Sequence, residues 1–269
     1  PHRGLNYMFQ MMNGSRLAVG MSAASIASAA YYAALEYSKV RLQGRHLFTK
    51  DFSLPQVPII EHPDVKRMLL FQRSVVEGSL SLLLQCSKYA DLSNVLNKDK
   101  KDKYSLLLDL LTPVAKSYPS EMAILSVSQG LQCLGGYGYC DEFPLEQYYR
   151  DVRIHPIHEG TTGIQGLDLL GRKVRMKDGK AFDLYLQEVI KTIRTAEAIP
   201  QLKLYARRLE RALGIVEKVT SHLKAVSIKR NPELFLADAT LYLELFGIVS
   251  LAWQWLVQAS IIQNNLAGK

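Results

Sequence analysis

The chain has 269 residues, 48% of them hydrophobic and 22% charged, with 33 Lys and Arg against 25 Asp and Glu for a formal charge of +8. That apolar content excludes a disordered polar chain, and 17 Gly with 10 Pro are too few for a collagen-like or low-complexity protein. The positive surplus suits an anionic partner such as a nucleotide, but Lys and Arg are spread along the chain rather than blocked, so no nucleic-acid partner is expected.

Apolar residues recur at three- and four-residue intervals nearly throughout, with no run of strand-like alternation, which predicts an all-α fold. A first helix is expected over roughly residues 5–42. Leu17, Met21, Ala24, Tyr31 and Leu35 form one seam of it, and Ala18, Ser22, Ser25, Ala29 and Ala33 form a stripe of small residues that a second helix can approach closely. That second helix starts after Glu61-His62-Pro63, where Pro fits the first turn, and runs to about Asn94. The Lys-Asp run over 98–103 reads as a solvated connection. A third helix is expected with Thr112 as N-cap and Pro113 at its first position, kinked or restarted at Pro119 and ended by Gly135-Gly136-Tyr137-Gly138. A short amphipathic helix with Ile164, Leu167 and Val174 begins near Thr161 and completes an up-and-down bundle over residues 1–176.

The turn Lys177-Asp178-Gly179-Lys180 marks a boundary, and residues 177–269 read as a smaller antiparallel helical extension. Phe182, Leu186, Val189 and Ile193 share one face, and a longer helix carries Leu202, Tyr205, Leu209, Ala212, Val216, Val219 and Leu223. Asn231-Pro232-Glu233 supplies a cap, a first-turn Pro and a first-turn acid for the last helix. Leu17 to Leu35 and Phe246 to Ile262 are uncharged, but both read as buried helices rather than membrane spans of about 20 residues. Cys86, Cys133 and Cys140 form no CxxC pair, so neither a disulfide framework nor a metal site is expected, and a reducing cytosol or organelle matrix fits. With Pro at position 1 and no signal-peptide layout, the N-terminus reads as a cut inside a longer protein.

The stretch from Leu131 to Arg172 carries the chemistry. A Gly-Gly-x-Gly turn at a helix end exposes main-chain N–H groups to another chain or a phosphate, and the same glycines also serve as an ordinary helix C-cap. Glu159, followed by Gly160 and Thr161 where a helix starts, can act as a base beside N–H groups that steady charge on a carbonyl oxygen. From these residues alone, a surface acid favoured by the helix dipole is the commoner reading.

The order of the whole segment closely resembles the acyl-CoA dehydrogenase family. The matching features are Gln132-x-x-Gly135-Gly136-Tyr137-Gly138, Phe143-Pro144-Leu145-Glu146, Tyr149-Arg150-Asp151 and Ile157-His158-Glu159-Gly160-Thr161 with Ile164-Gln165. The resemblance implies that residues 4–176 correspond to the family's C-terminal helical domain, without its amino-terminal helical and middle β domains. It further implies an FAD-dependent enzyme of fatty acid metabolism in which Glu159 removes the α-proton of an acyl-CoA while hydride passes from the β-carbon to flavin N5. Some family members carry the base on the first helix, but here that region reads Met11-Met12-Asn13-Gly14-Ser15-Arg16, with no carboxylate.

By the same resemblance Arg16, Asn13 and Gly160 lie against the acyl-CoA. Arg41, Gln132, Gly135 and Gly136 would hold the FAD of a neighbouring subunit, and Thr161 would touch the FAD of its own. A homodimer or homotetramer and an electron-transfer flavoprotein as acceptor follow. His158 stands where the family often has tyrosine, and His155 and His62 read as structural. Residues 182–269 resemble the extra helical domain of long-chain and methylthiopropionyl-CoA types, with packing or subunit contact as its role. An acyl-CoA oxidase, or a non-catalytic helical assembly module of this fold, are the alternatives.

Overall fold

The computed structural model describes residues 4–46, 51, 53–228 and 232–267. Among them the only regular secondary structure is helical, apart from one isolated bridge between Leu42 and Pro58. Three long helices, α1 (Gly4–Val40), α2 (Pro63–Val95) and α3 (Lys98–Leu134), pack on one another, and α4 (Leu145–Val152) and α5 (Thr162–Gly171) lie against them. Four more follow: α6 (Lys180–Glu197), α7 (Lys203–Ile228), α8 (Pro232–Leu236) and α9 (Ala239–Ala267).

Pro63 occupies the first turn of α2, where its missing N–H has no helical partner to lose. Thr161 caps α5, its hydroxyl accepting from the Ile164 N–H. At the boundary Lys177, Asp178 and Gly179 all take positive φ, and α6 starts at the next residue. The cap expected at Asn231 lies outside the described residues, while Glu233 stands in the first turn of α8.

Two expectations fail. The Lys-Asp run over 98–103 is not a connection but the opening turns of α3, which continues unbroken through Pro113 and Pro119 to Leu134. Thr112 is therefore mid-helix and buried, its hydroxyl donating to the Leu108 carbonyl. The small-residue stripe of α1 is also displaced: Ala18, Ser22, Ser25 and Ala29 are exposed, whereas Ala23, Ala27, Ala30 and Ala34 are buried. The closest approach is at Gly20, where a Cβ would fall 2.1 Å from the Ala115 carbonyl oxygen of α3. That carbonyl is the one Pro119 leaves without its helical donor, so α1 packs against the place where α3 lacks a bond.

Two hydrophobic cores result. The smaller joins the alanines of α1 to Met68 and Leu69 of α2, Val127 of α3 and Leu145 of α4. The larger runs from Leu82 and Leu83 of α2 and Leu107, Leu110 and Leu111 of α3 through Leu169 and Leu170 of α5 to Phe182, Tyr185 and Phe246 of α6 and α9. The helices after residue 180 thus share a core with the bundle instead of closing on themselves. By length and composition Met11–Val40 and Glu233–Leu266 could cross a membrane, but 44% and 50% of their apolar windows are buried inside the protein.

Candidate functional site

The turn between α4 and α5 sets the first group of candidates. Glu159 and Gly160 both take left-handed backbone, at φ 56 and 94, and the second suits only glycine comfortably. Each carbonyl of this turn is held by a fully buried side chain. Gln165 Nε2 donates to the Glu159 oxygen at 3.0 Å, and Lys116 Nζ on α3 donates to the Gly160 oxygen at 2.7 Å. Beside them the Thr162 hydroxyl donates to the Glu121 carboxylate, and the Thr162 N–H donates to the Pro156 carbonyl at 3.2 Å. The Glu159 side chain is half-buried, and its carboxylate makes no hydrogen bond or ion pair among the described residues.

Arg16 belongs to the same neighbourhood and is buried rather than solvated. Its Nη1 lies 3.5 Å from Asp168 Oδ2 of α5, while its Nε is buried without a partner. Asn13, one turn earlier on α1, donates to Asp109 at 3.4 Å, and Lys173 donates to the same carboxylate oxygen at 3.0 Å. Burial lowers the pKa of Lys116 to about 8, a shift that Glu121 and Glu159 oppose and Arg16 reinforces. Those three side chains thus act on one buried ammonium. His158 is exposed, with Nδ1 2.9 Å from the Ile154 carbonyl oxygen. His155 is buried, and its imidazole is pushed below its usual pKa first by that burial and then by the His158 ring 5.4 Å away.

The second group lies at the far end of α3. Gly135 ends the helix at φ 60, and a side chain at Gly135 or Gly136 would meet open space. Tyr137 and Phe143, with ring centres 5.6 Å apart, pack edge-on against Tyr37 of α1 and fix this turn beside Arg41. The Arg41 guanidinium lies 5.6 Å from the centre of the Tyr137 ring and pairs with no carboxylate among the described residues. Below it, Gln43 N–H to Val57 O and Ile59 N–H to Arg41 O tie the loop after α1 to the start of α2. His62 Nε2, 2.8 Å from the Gln43 carbonyl, closes the same tie. Arg41, Gln43, Gln132, Gly135 and Gly136 line a cleft of about 630 Å³.

The site residues therefore fall into two places: Asn13, Arg16, Glu159, Gly160 and Thr161 in one, and Arg41, Gln132, Gly135 and Gly136 in the other. Lys116, Glu121 and Asp168 are the additions. Lys116 and Glu121 had no sequence signal beyond a charge inside an apolar helix, since only the fold brings them to the turn. Among the described residues no group of three His, Cys, Asp or Glu could hold a metal ion.

The acyl-CoA dehydrogenase C-terminal domain model matches residues 2–174, and a model described as acetyl-CoA dehydrogenase C-terminal like matches residues 185–269. A 3-methylmercaptopropionyl-CoA dehydrogenase of Ruegeria pomeroyi is 34% identical over 98% of this chain and 45% of its own length. A butyryl-CoA dehydrogenase of Syntrophomonas wolfei is 35% identical over 98% of this chain and 43% of its own length. The chain thus spans under half the length of these relatives. Among solved structures, Caenorhabditis elegans ACDH-11 in complex with C11-CoA aligns with a TM-score of 0.78 at 23% identity. That alignment covers 96% of this chain and 42% of the other, and at such identity it speaks for the fold alone.

Proposed function

The chain belongs to the acyl-CoA dehydrogenase family, and from that premise we propose that Glu159 is the base of an FAD-dependent α,β-dehydrogenation of an acyl-CoA thioester. The observation that carries this reading is the Glu159 turn itself. Its carboxylate is half-buried and unpaired among the described residues, while the backbone that bears it is fixed in a left-handed conformation by two buried donors. A proton next to a thioester carbonyl is only weakly acidic, so the base must be held in reach and the carbonyl oxygen must meet donors as charge develops on it. The Glu159 main-chain N–H makes no backbone hydrogen bond among the described residues and is the donor proposed for that oxygen. Gly160, next to the base, is the proposed main-chain contact for the acyl group. The unpartnered Arg16 Nε supports a polar substrate group nearby, with Asn13 beside it.

The cleft at the end of α3 fits a cofactor bearing a diphosphate and an adenosine. An unpaired guanidinium at Arg41 suits the diphosphate, and the bare backbone of Gly135 and Gly136 with the exposed Gln132 amide suits close approach. FAD, when bound, supplies the acceptor for the hydride that leaves the β-carbon. At about 1.5 Å per residue, Lys116 and Gln132 lie about 24 Å apart along α3. On this reading one chain's cleft and its own base serve different copies of the cofactor. A homodimer or homotetramer follows, with Thr161 at the start of α5 facing the cofactor of its own subunit. Three unpaired cysteines suit a reducing compartment, the bacterial cytoplasm or an organelle matrix.

The test is anaerobic mixing of the full-length, flavin-loaded protein with acyl-CoA thioesters of graded length. Loss of flavin absorbance with a restricted set of them is expected, followed by reoxidation through an electron-transfer flavoprotein without peroxide. No bleaching with any thioester contradicts the reading, and stoichiometric peroxide would make the protein an oxidase.

A further inference from the structure

Two consecutive left-handed residues, the first of them bearing a side chain, do not persist unless their surroundings over-determine them. Here the surroundings are two side chains that solvent does not reach. Gln165 takes the carbonyl of Glu159 and Lys116 takes the carbonyl of Gly160. The fit is tight, since a Cβ on Gly160 would fall 2.6 Å from Gln165 Nε2.

Lys116 is an expensive choice for such a task. It is fully buried on α3, it makes no ion pair among the described residues, and its one hydrogen bond is to a neutral carbonyl. A methionine of similar length would fill the space without desolvating a charge. What the ammonium adds is a positive charge close enough to Glu159 and Glu121 to interact with both, fixed to the same turn that carries the carboxylate. Arg16 of α1 is a second buried cation, near enough to act on Lys116.

Resting on the assignment of Glu159 as base, we propose that Lys116 and Gln165 are positioning residues that lock the 159–160 turn and so hold the carboxylate at the α-carbon. They touch neither substrate nor cofactor in this role. Their loss displaces the base without emptying the acyl-CoA or FAD sites.

The experiment uses the full-length, FAD-loaded protein as wild type, Lys116→Met, Gln165→Met and Glu159→Gln. Two quantities are read per mole of bound flavin: kcat with KM for the acyl-CoA, and the rate at which the acyl α-hydrogen exchanges with deuterated water. Both positioning variants are expected to lose about 10- to 100-fold in kcat, with KM within about threefold of wild type. Exchange should slow by the same factor. A merely structural role would lower the melting temperature and leave both readings unchanged. Gln165→Met keeps the buried charge and decides the matter if Lys116→Met does not fold. Wild-type kcat and exchange in Gln165→Met, or a rise in KM alone, overturns the proposal. If wild type and Glu159→Gln exchange at equal rates, it is the assignment of the base that fails instead.

Discussion

Glu159 sits at φ 56 and Gly160 at φ 94, so the residue proposed to do the chemistry stands where an ordinary side chain is strained. Adding a single methyl group measures how fully this turn is determined. Gly160→Ala is expected to cost about 1–3 kcal/mol, because the left-handed backbone disfavours it and its Cβ meets Gln165 Nε2. Urea unfolding of the two proteins side by side checks this, and equal midpoints would show a turn that can relax. Lys116 gives a pH signature. Its pKa falls from 10.5 unfolded to about 8 folded, so between those values the unfolded chain binds more protons and folding gains stability as pH rises. Arg16, Glu121 and Glu159 are the charged groups that act on it. Relative to Lys116→Met, wild type should therefore become more stable from pH 8 to 10.5 and gain nothing below 8. Denaturant midpoints at pH 7.5 and 10 test the sign.

At the scale of elements, the close approaches between helices are carried by glycines. Gly166 of α5 lies against the Ala239 carbonyl at the start of α9, where a Cβ would come within 2.7 Å of that oxygen. Gly166→Ala should push the two helices apart at a cost of about 1–3 kcal/mol, read as a lower melting temperature with helical content retained. Which elements could be read in the sequence follows the same physics. Pro63, Thr161 and Gly135 announce helix ends because each answers a local need: a missing donor, a cap, a positive φ. The start of α3 was not legible. Lys98 to Lys103 looks like a solvated link by composition, and only packing of the following turns shows that the helix has already begun. Pro113 and Pro119 mislead for a related reason. A proline costs one helical bond, and here α1 covers the freed Ala115 carbonyl through Gly20. The residues proposed as carboxylate base and cofactor contacts were singled out by their motif, whereas Lys116 became visible only once α3 lay beside the 159–160 turn.

Across the whole molecule, the helices after residue 180 complete the core that the bundle begins. Leu83, Leu110, Leu111, Leu169 and Leu170 are buried in one cluster with Phe182, Tyr185 and Phe246. Ending the chain after residue 179 would expose that face, so the shortened protein should bind a hydrophobic dye and lose its sharp thermal transition. A cooperative transition like that of the intact chain would instead make the extension an independent layer. The two candidate regions, one beside the middle of α3 and one at its C-terminal end, are far enough apart that the proposed function calls for a second copy to complete each site. At the centre of the account stands a proton taken by one carboxylate. Its most direct test is the rate of flavin absorbance loss when full-length, FAD-loaded Glu159→Gln meets the acyl-CoA that wild type uses fastest. A fall of about 10²- to 10⁴-fold with acyl-CoA binding retained is predicted, and a rate close to that of wild type would contradict it.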